Sequence, residues 1–255
     1  MSRNYRFTIS LEDTLNKAEQ TITIRSKELL HQINNVLRLK LGHAEELTLI
    51  DGSGEVFYAE IQSITKSLVE LKILKIEKSQ RELDLEIVFF IPVIKLENFT
   101  WMLRKLVELG VQSFVPVIFE RSQKPNIQAL ASPKAQERFR KIIQEATEQC
   151  EAAVFARLHD AIEFNDIKNH LKPGSLRVFA NERLADANHL SPVTYQLSTN
   201  KLCLLVGPEG GLTEQEVIAL ESLDFMPCGL GKRFLKAETA AISLLLTIFN
   251  NIPAD

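Results

Sequence analysis

Two glycine-containing segments toward the carboxyl end of the chain hold the residues whose types and spacing could do chemistry. The first is Val206-Gly207-Pro208-Glu209-Gly210-Gly211-Leu212-Thr213, which follows the apolar run KLCLLVG and leads into EQEVIAL. Thr213 and Glu216 stand at the Thr-x-x-Glu spacing of a capping box, which fixes where the helix starts. The loop is therefore a strand-to-helix turn at the carboxyl end of a strand. Open α/β sheets place their ligands there, and glycines let a ligand approach the backbone closely. Glu214 and Glu216 already occupy the positive end of the helix dipole and would repel a phosphate. The segment also lacks the Lys-Ser/Thr ending of a P-loop and the spacing of a dinucleotide fingerprint. A nucleoside without phosphates is the better fit.

The second segment runs from Gly229 through Leu230, Gly231, Lys232, Arg233, Phe234, Leu235, Lys236, Ala237 and Glu238 to Thr239-Ala240-Ala241. It joins a short strand near FMPCG to a helix through AAISLLLTIF. Two glycine-containing strand exits so close in sequence are an unusual pairing. S-adenosylmethionine matches what they offer: its adenine edge can be read by backbone groups, and its sulfonium tolerates nearby acid. Taken alone, the first segment is explained equally well as a plain glycine turn. No histidine falls in either segment, so the usual first choice of general base is missing.

Alternating apolar runs and amphipathic stretches must position these loops. LDLEIVFFI (83–91) precedes a helix with Leu96, Phe99, Leu103, Leu106 and Gly110 at helical spacing, with Trp101 expected in its packing. The strand VQSFVPVIF (111–119), a helix over about 132–149, the strand LRVFA (176–180) and KLCLLVG (201–207) follow. Buried strands alternating with helices argue for an α/β domain with a mostly parallel sheet covered on both faces. Upstream, TITIR (21–25), EELTLI (45–50), EVFYAEI (55–61) and LVELKILKI (68–76) read as strands of a small β-barrel-like domain. Asp51-Gly52-Ser53-Gly54 makes a hairpin turn. Ser26 is placed to cap a helix from Lys27 to about Leu37 that buries Leu29, Leu30, Ile33 and Leu37. The polar stretch Glu77–Glu82 marks the boundary, giving domains of 1–78 and 79–255.

Composition narrows the function classes. Net charge is −3, from 30 Lys plus Arg against 33 Asp plus Glu, so nothing global attracts a polyanion and any RNA-binding groups must be clustered. Leu29 to His43 contains no acid while carrying His31, Arg38, Lys40 and His43, which makes a plausible phosphate-binding strip. Lys95, Lys105, Arg121 and Lys124 are candidates to extend it. Cys150, Cys203 and Cys228 are widely spaced, which points neither to a disulfide framework nor to a thiolate metal site. No metal is expected. The longest apolar run, Ala241 to Phe249, is about half of a membrane span, and the amino-terminal segment has no apolar stretch of the signal-peptide kind. A cytosolic (cytoplasmic) protein is the expectation, away from any membrane.

At this point the chain resembles a known family. The pair GPEGG and Leu230-Gly231-x-Arg233-x-Leu235-x-x-Glu238-Thr239-Ala240 is similar to the paired signatures of the RsmE family of SPOUT-class RNA methyltransferases. Lys105-x-x-Glu108-Leu109-Gly110-Val111, Pro116 with Glu120-Arg121-Ser122, and Glu148-Gln149-Cys150 resemble that family's further segments. So do His31, Val36-Leu37-Arg38 and Asp51-Gly52 in the small domain, and the likeness spans essentially the whole chain in the family's order.

The resemblance implies a C-terminal SPOUT domain with a deep trefoil knot, a rare exception to unknotted topology, and a PUA-like N-terminal domain that helps hold RNA. It implies S-adenosylmethionine bound by Val206, Gly207, Pro208, Glu209, Gly210, Gly211, Leu230, Gly231, Leu235 and Thr239. It further implies a homodimer through the knotted domain, and methyl transfer to N3 of a uridine in 16S ribosomal RNA of the small ribosomal subunit. Arg233, Glu209 and Glu238 are the candidate catalytic groups; Arg38, Lys40, Lys95, Lys105, Arg121 and Lys236 are the candidate RNA contacts. The chain departs from the family in having Lys232 for Pro, Lys236 for Arg, Ala237 for Thr, and Glu151-Ala152-Ala153 after the Glu-Gln-Cys segment. Those departures leave open a SPOUT paralogue acting on another RNA, or a catalytically silent RNA-binding protein of ribosome assembly.

Overall fold

The computed structural model describes residues 5–39, 46–183 and 200–251. It divides into two compact units, the first formed by Met1–Glu82 with Thr147–Phe155 and the second by Leu83–Ala146 with Ala156–Asp255. In the first unit the strands are β1 (Tyr5–Thr8), β2 (Thr14–Asn16), β3 (Thr21–Ile24), β4 (Leu47–Ile50), β5 (Glu55–Ile64) and β6 (Val69–Lys78), with helix α1 (Lys27–His31) between β3 and β4. They form one sheet in the order β1-β4-β5-β6-β3-β2. All neighbours are antiparallel except β1 and β4. Alternate residues such as Ile22, Ile24, Leu47, Leu49, Phe57, Leu71 and Ile73 point into a closed apolar core, as the period of two along a strand requires. The turn at 51–54 is built as its residues suggest. Asp51 accepts from the Ser53 amide and hydroxyl, and Gly52 and Gly54 take φ of 85° and 94°.

Two details of this unit differ from the expectation. The helix after Ser26 is regular only to His31 and continues as a π-helical turn over Gln32–Val36. Ser26 does not cap it: its amide and hydroxyl both donate to Asp13, which also accepts from the Arg25 and Ser10 amides. A carboxylate brought in by the connection between β1 and β2 out-competes the local serine, because a charged acceptor makes the stronger hydrogen bond. Residues 152–154 are sewn in by backbone bonds. Arg6 donates to Ala152 O (2.7 Å), Gly54 N to Ala153 O (3.1 Å), and Ala153 N to Glu82 (2.7 Å).

The second unit contains β7 (Glu86–Pro92), α2 (Leu96–Glu108), β8 (Ser113–Ile118), α3 (Lys124–Leu130) and α4 (Pro133–Gln149). After these come β9 (Arg157–Leu158), β10 (Ile162–Glu163), β11 (Leu176–Ala180), β12 (Lys201–Leu205), α5 (Glu214–Ser222), β13 (Met226–Cys228) and α6 (Ala237–Asn251). Its sheet is wholly parallel, in the order β10-β8-β7-β12-β11-β13, with β9 also against β8. Ile87 to Pro92 are all buried, the pattern of a central strand covered on both faces. Phe90, Val115, Phe179, Cys203 and Leu205 fill one face against Leu212, Leu220 and Phe225. On α2, Phe99, Met102, Leu103 and Leu106 are buried, whereas Trp101 is 47% exposed, contrary to the packing role expected for it. One position before Met102, it falls on the opposite side of the helix from the apolar stripe. The expected knot depends on how the connection from β11 to β12 passes, and most of it (184–199) lies outside the described residues.

Candidate active site

Because β12, β11 and β13 are adjacent and parallel, their carboxyl ends open at one edge of the sheet, and three loops emerge there together. Pairing of Phe179 with Leu205 and of Ala180 with Cys228 sets the three exits level. Asn181 N donates to Cys228 O (2.8 Å) and Val206 N to Phe90 O (3.2 Å), so the first residue of two of these loops is tied to a neighbouring strand. The cavity between them is lined by Ala180 to Arg183 from β11, by Val206, Gly207, Pro208, Glu209, Gly211 and Leu212 after β12, and by Leu230, Gly231, Arg233 and Leu235 after β13. Val217 of α5 and Ala237 and Ala240 of α6 complete it.

The loop after β12 is held from both sides. Gly211 N returns to Pro208 O (2.8 Å), and Gly211 sits at φ 71°, a conformation that a side chain would strain. At Gly207 space is the constraint: a Cβ there would stand 2.9 Å from Leu212 Cγ. The capping box forms as expected. Thr213 Oγ1 accepts from Glu216 N (3.2 Å), and Glu216 returns a carboxylate oxygen to Thr213 N (2.8 Å). The other oxygen of Glu216 accepts from Glu120 N (2.9 Å), and Arg121 donates through Nη1 to Gly210 O (2.7 Å). Ser122 Oγ accepts from Phe119 N (2.9 Å), so Glu120-Arg121-Ser122 is a brace linking the end of β8 to the glycine loop.

The candidate cofactor residues expected from sequence line this cavity except Gly210, whose carbonyl is taken by Arg121, and Thr239, which is exposed on α6. Of the candidate catalytic groups, Glu209 and Arg233 are exposed at the rim. Glu238 is buried and does not line the cavity, and among the described residues its Oε2 has no hydrogen-bond partner. Among the polar lining residues, Asn181, Glu182 and Arg183 are those that sequence reasoning missed. Its signal was present, since LRVFA reads as a buried strand of a parallel sheet and must release its chain at the same edge. Arg183 pairs with Glu214 (3.4 Å). Cys228, at the end of β13, does not line the cavity, and burial pushes its thiol up to about 11, away from the thiolate form.

Among the expected RNA-contacting residues, Arg38, Lys95, Lys124, Lys236 and Arg121 are exposed, and Lys105 is bonded to Glu108 (2.8 Å). Lys40, like His43, lies outside the described residues. Among the described residues no group of three or more His, Cys, Asp or Glu could hold a metal ion, and no helix is long and apolar enough to cross a membrane.

The lining combines apolar side chains with glycine backbone and carries Glu182, Glu209, Arg183 and Arg233, which suits a small polar-edged ligand. The family described as RNA methyltransferase domain matches residues 81–249, and the RNA methyltransferase PUA domain matches residues 33–74. The chain belongs to the RNA methyltransferase family. The chain is 29% identical to ribosomal RNA small subunit methyltransferase E of Bacillus subtilis (strain 168), over 95% of each chain. It is 30% identical to the protein of that name from Synechocystis sp. (strain ATCC 27184 / PCC 6803 / Kazusa), over 96% of this chain and 77% of the other. The crystal structure of ribosomal RNA small subunit methyltransferase E from Neisseria gonorrhoeae, bound to S-adenosyl methionine, superposes with a TM-score of 0.80 at 26% identity, covering 98% of each chain.

Proposed function

We propose that this protein transfers a methyl group from S-adenosylmethionine to N3 of a uridine in 16S ribosomal RNA of the small ribosomal subunit. The observation that carries the reading is the cavity where three adjacent strand exits converge, in a chain that matches the small subunit methyltransferase E of Bacillus subtilis over 95% of its length. The residues present fit the cofactor. Val206, Leu212, Leu230 and Leu235 offer apolar walls to a purine, and the backbone of 206–211 and 230–235 offers polar edges. The glycine loop leaves no room for side chains at Gly207, and Glu214 and Glu216 disfavour a phosphate.

S-adenosylmethionine, when bound, supplies an electrophilic methyl carbon. What the protein must add is placement of the uracil, acceptance of the N3 proton, and stabilisation of the uracil anion as it forms. Arg233, exposed and lining the cavity, would face the uracil oxygens, where a cation helps most as charge develops. Glu209, also at the rim, is the candidate proton acceptor. Glu238 is better read as a buried carboxylate in the first turn of α6, where the helix dipole favours it. Exposed Lys95, Lys124 and Lys236 would meet phosphates.

A homodimer through the second unit belongs to the same reading. Phe234 is 81% exposed and Trp101 and Leu246 are exposed as well, on a loop and helices that a partner copy would cover. The setting is the cytosol, where small subunits are made. Incubation of the protein with methyl-tritiated S-adenosylmethionine and small subunits lacking the modification tests the proposal. Tritium should enter 16S ribosomal RNA, and absence of label with both subunits and free RNA would refute it.

A further inference from the structure

Glu182 is a carboxylate with no assigned role, and its surroundings define what it can hold. It lies two residues beyond β11, on the strand next to the one that feeds the glycine loop, and it lines the cavity. Its Oε1 occupies the space above Gly211, so a Cβ built on Gly211 would collide with it. Among the described residues it makes no hydrogen bond or ion pair. The two arginines nearby are engaged elsewhere, Arg183 with Glu214 and Arg121 with Gly210 O. Glu182 therefore presents unfilled acceptor oxygens to a cavity whose other polar edges are mostly backbone.

An acceptor-only group needs donors from its ligand. A phosphate-free adenosine compound offers them as the ribose 2′ and 3′ hydroxyls, the exocyclic amine and, further out, the ammonium of its amino-acid tail. A carboxylate at the carboxyl end of the strand adjoining a glycine-rich loop is the arrangement by which doubly wound nucleotide sites grip a ribose hydroxyl. The lateral placement here is alike although the chain order is reversed: a glycine loop after β12, an acid after the neighbouring β11, and the two strands parallel and in level register. We infer that Glu182 binds the ribose cis-diol of the nucleoside cofactor and is the residue that makes the site select ribose over deoxyribose. The inference rests on the cofactor reading above and adds a specific contact to it.

Calorimetric titration of the full-length protein, wild type and Glu182→Ala, with S-adenosylmethionine, S-adenosylhomocysteine and the 2′-deoxy and 3′-deoxy analogues of the latter tests it. Glu182 is an exposed side chain, so folding is not at stake, and circular dichroism verifies that. The wild type should bind each deoxy analogue about tenfold more weakly than S-adenosylhomocysteine, the usual loss for one charge-assisted hydrogen bond. Glu182→Ala should bind all three alike, with its preference between S-adenosylmethionine and S-adenosylhomocysteine unchanged. Equal wild-type affinity for the deoxy analogues overturns the inference while leaving the cofactor reading intact. So does a Glu182→Ala variant that loses S-adenosylmethionine but keeps S-adenosylhomocysteine, because the carboxylate would then be serving the sulfonium. Failure of the wild type to bind either parent compound overturns the cofactor reading and the inference with it.

Discussion

Replacing Arg121 should weaken cofactor binding more than RNA binding. Its guanidinium donates to Gly210 O over 2.7 Å, and among the described residues no other carbonyl of the glycine loop is held by a side chain from another element. The bond is charge-assisted but exposed, so its worth lies at the low end of the range for such bonds, about 1.5 kcal/mol. Without it the loop would populate open arrangements, and affinity falls by the fraction of molecules that remain competent, roughly tenfold for that energy. Arg121→Met keeps the stem that packs beside Gly210 and removes only the donor. Calorimetry with S-adenosylhomocysteine should show the tenfold loss, with an unchanged melting temperature. Arg121→Lys should fall between, since a point charge cannot reproduce the planar donor geometry. If Arg121→Met instead binds S-adenosylhomocysteine normally, and loses RNA affinity with a salt dependence shallower by about one ion, the residue is a phosphate contact and the bracing argument is wrong.

Gly211→Ala should lower S-adenosylhomocysteine affinity by about tenfold, because φ of 71° costs a side chain roughly 1 kcal/mol and the new methyl displaces Glu182; titration against an unchanged far-ultraviolet spectrum checks this. Glu216→Gln replaces an acceptor that takes backbone N–H groups on both oxygens, leaving one buried N–H facing an amide nitrogen; a loss of about 2 kcal/mol, seen as a melting point lower by roughly 5 °C, is expected. At Asp13 burial opposes the charge, but the Ser26, Ser10 and Arg25 amides and the Ser10 hydroxyl outweigh it and hold the carboxyl below its ordinary value. A depressed carboxyl contributes stability that is fully present above the ordinary value near 4 and is lost as pH falls through the folded one. Asp13→Asn should thus be destabilised at pH 7, and its deficit should shrink below about pH 4; parallel melting curves from pH 7 to 3 would show a constant gap if Asp13 is not charged in the fold.

The sequence made the strand-to-helix loop at 206–213 legible because each of its signals is local: an apolar run, glycines, and a Thr-x-x-Glu spacing that one turn of helix turns into two hydrogen bonds. LRVFA (176–180) was equally legible as a strand. Its functional exit at 181–183 was not followed, because what makes Glu182 a site residue is a lateral relation, β11 lying between β12 and β13, and lateral order is fixed by packing across the sheet. The same holds for Arg121. Twenty residues of sequence around it say only that an arginine follows a buried strand; the partner at Gly210 is 89 positions away. Ser26 shows the opposite failure, a locally correct capping residue whose backbone and hydroxyl were claimed by a distant carboxylate. β2 went unread because three residues carry too few alternations to stand out, and β1 because its buried residues, Phe7 and Thr8, are adjacent and do not alternate. Trp101 was misplaced because bulk and aromaticity argue for burial only when the helix face agrees.

The most direct test of the account is nucleoside mass spectrometry of 16S ribosomal RNA from small subunits treated with the protein and S-adenosylmethionine. The expected result is one new 3-methyluridine per subunit, absent from reactions without cofactor; a methyl group found on any other nucleoside or on ribose, or none at all, would contradict it.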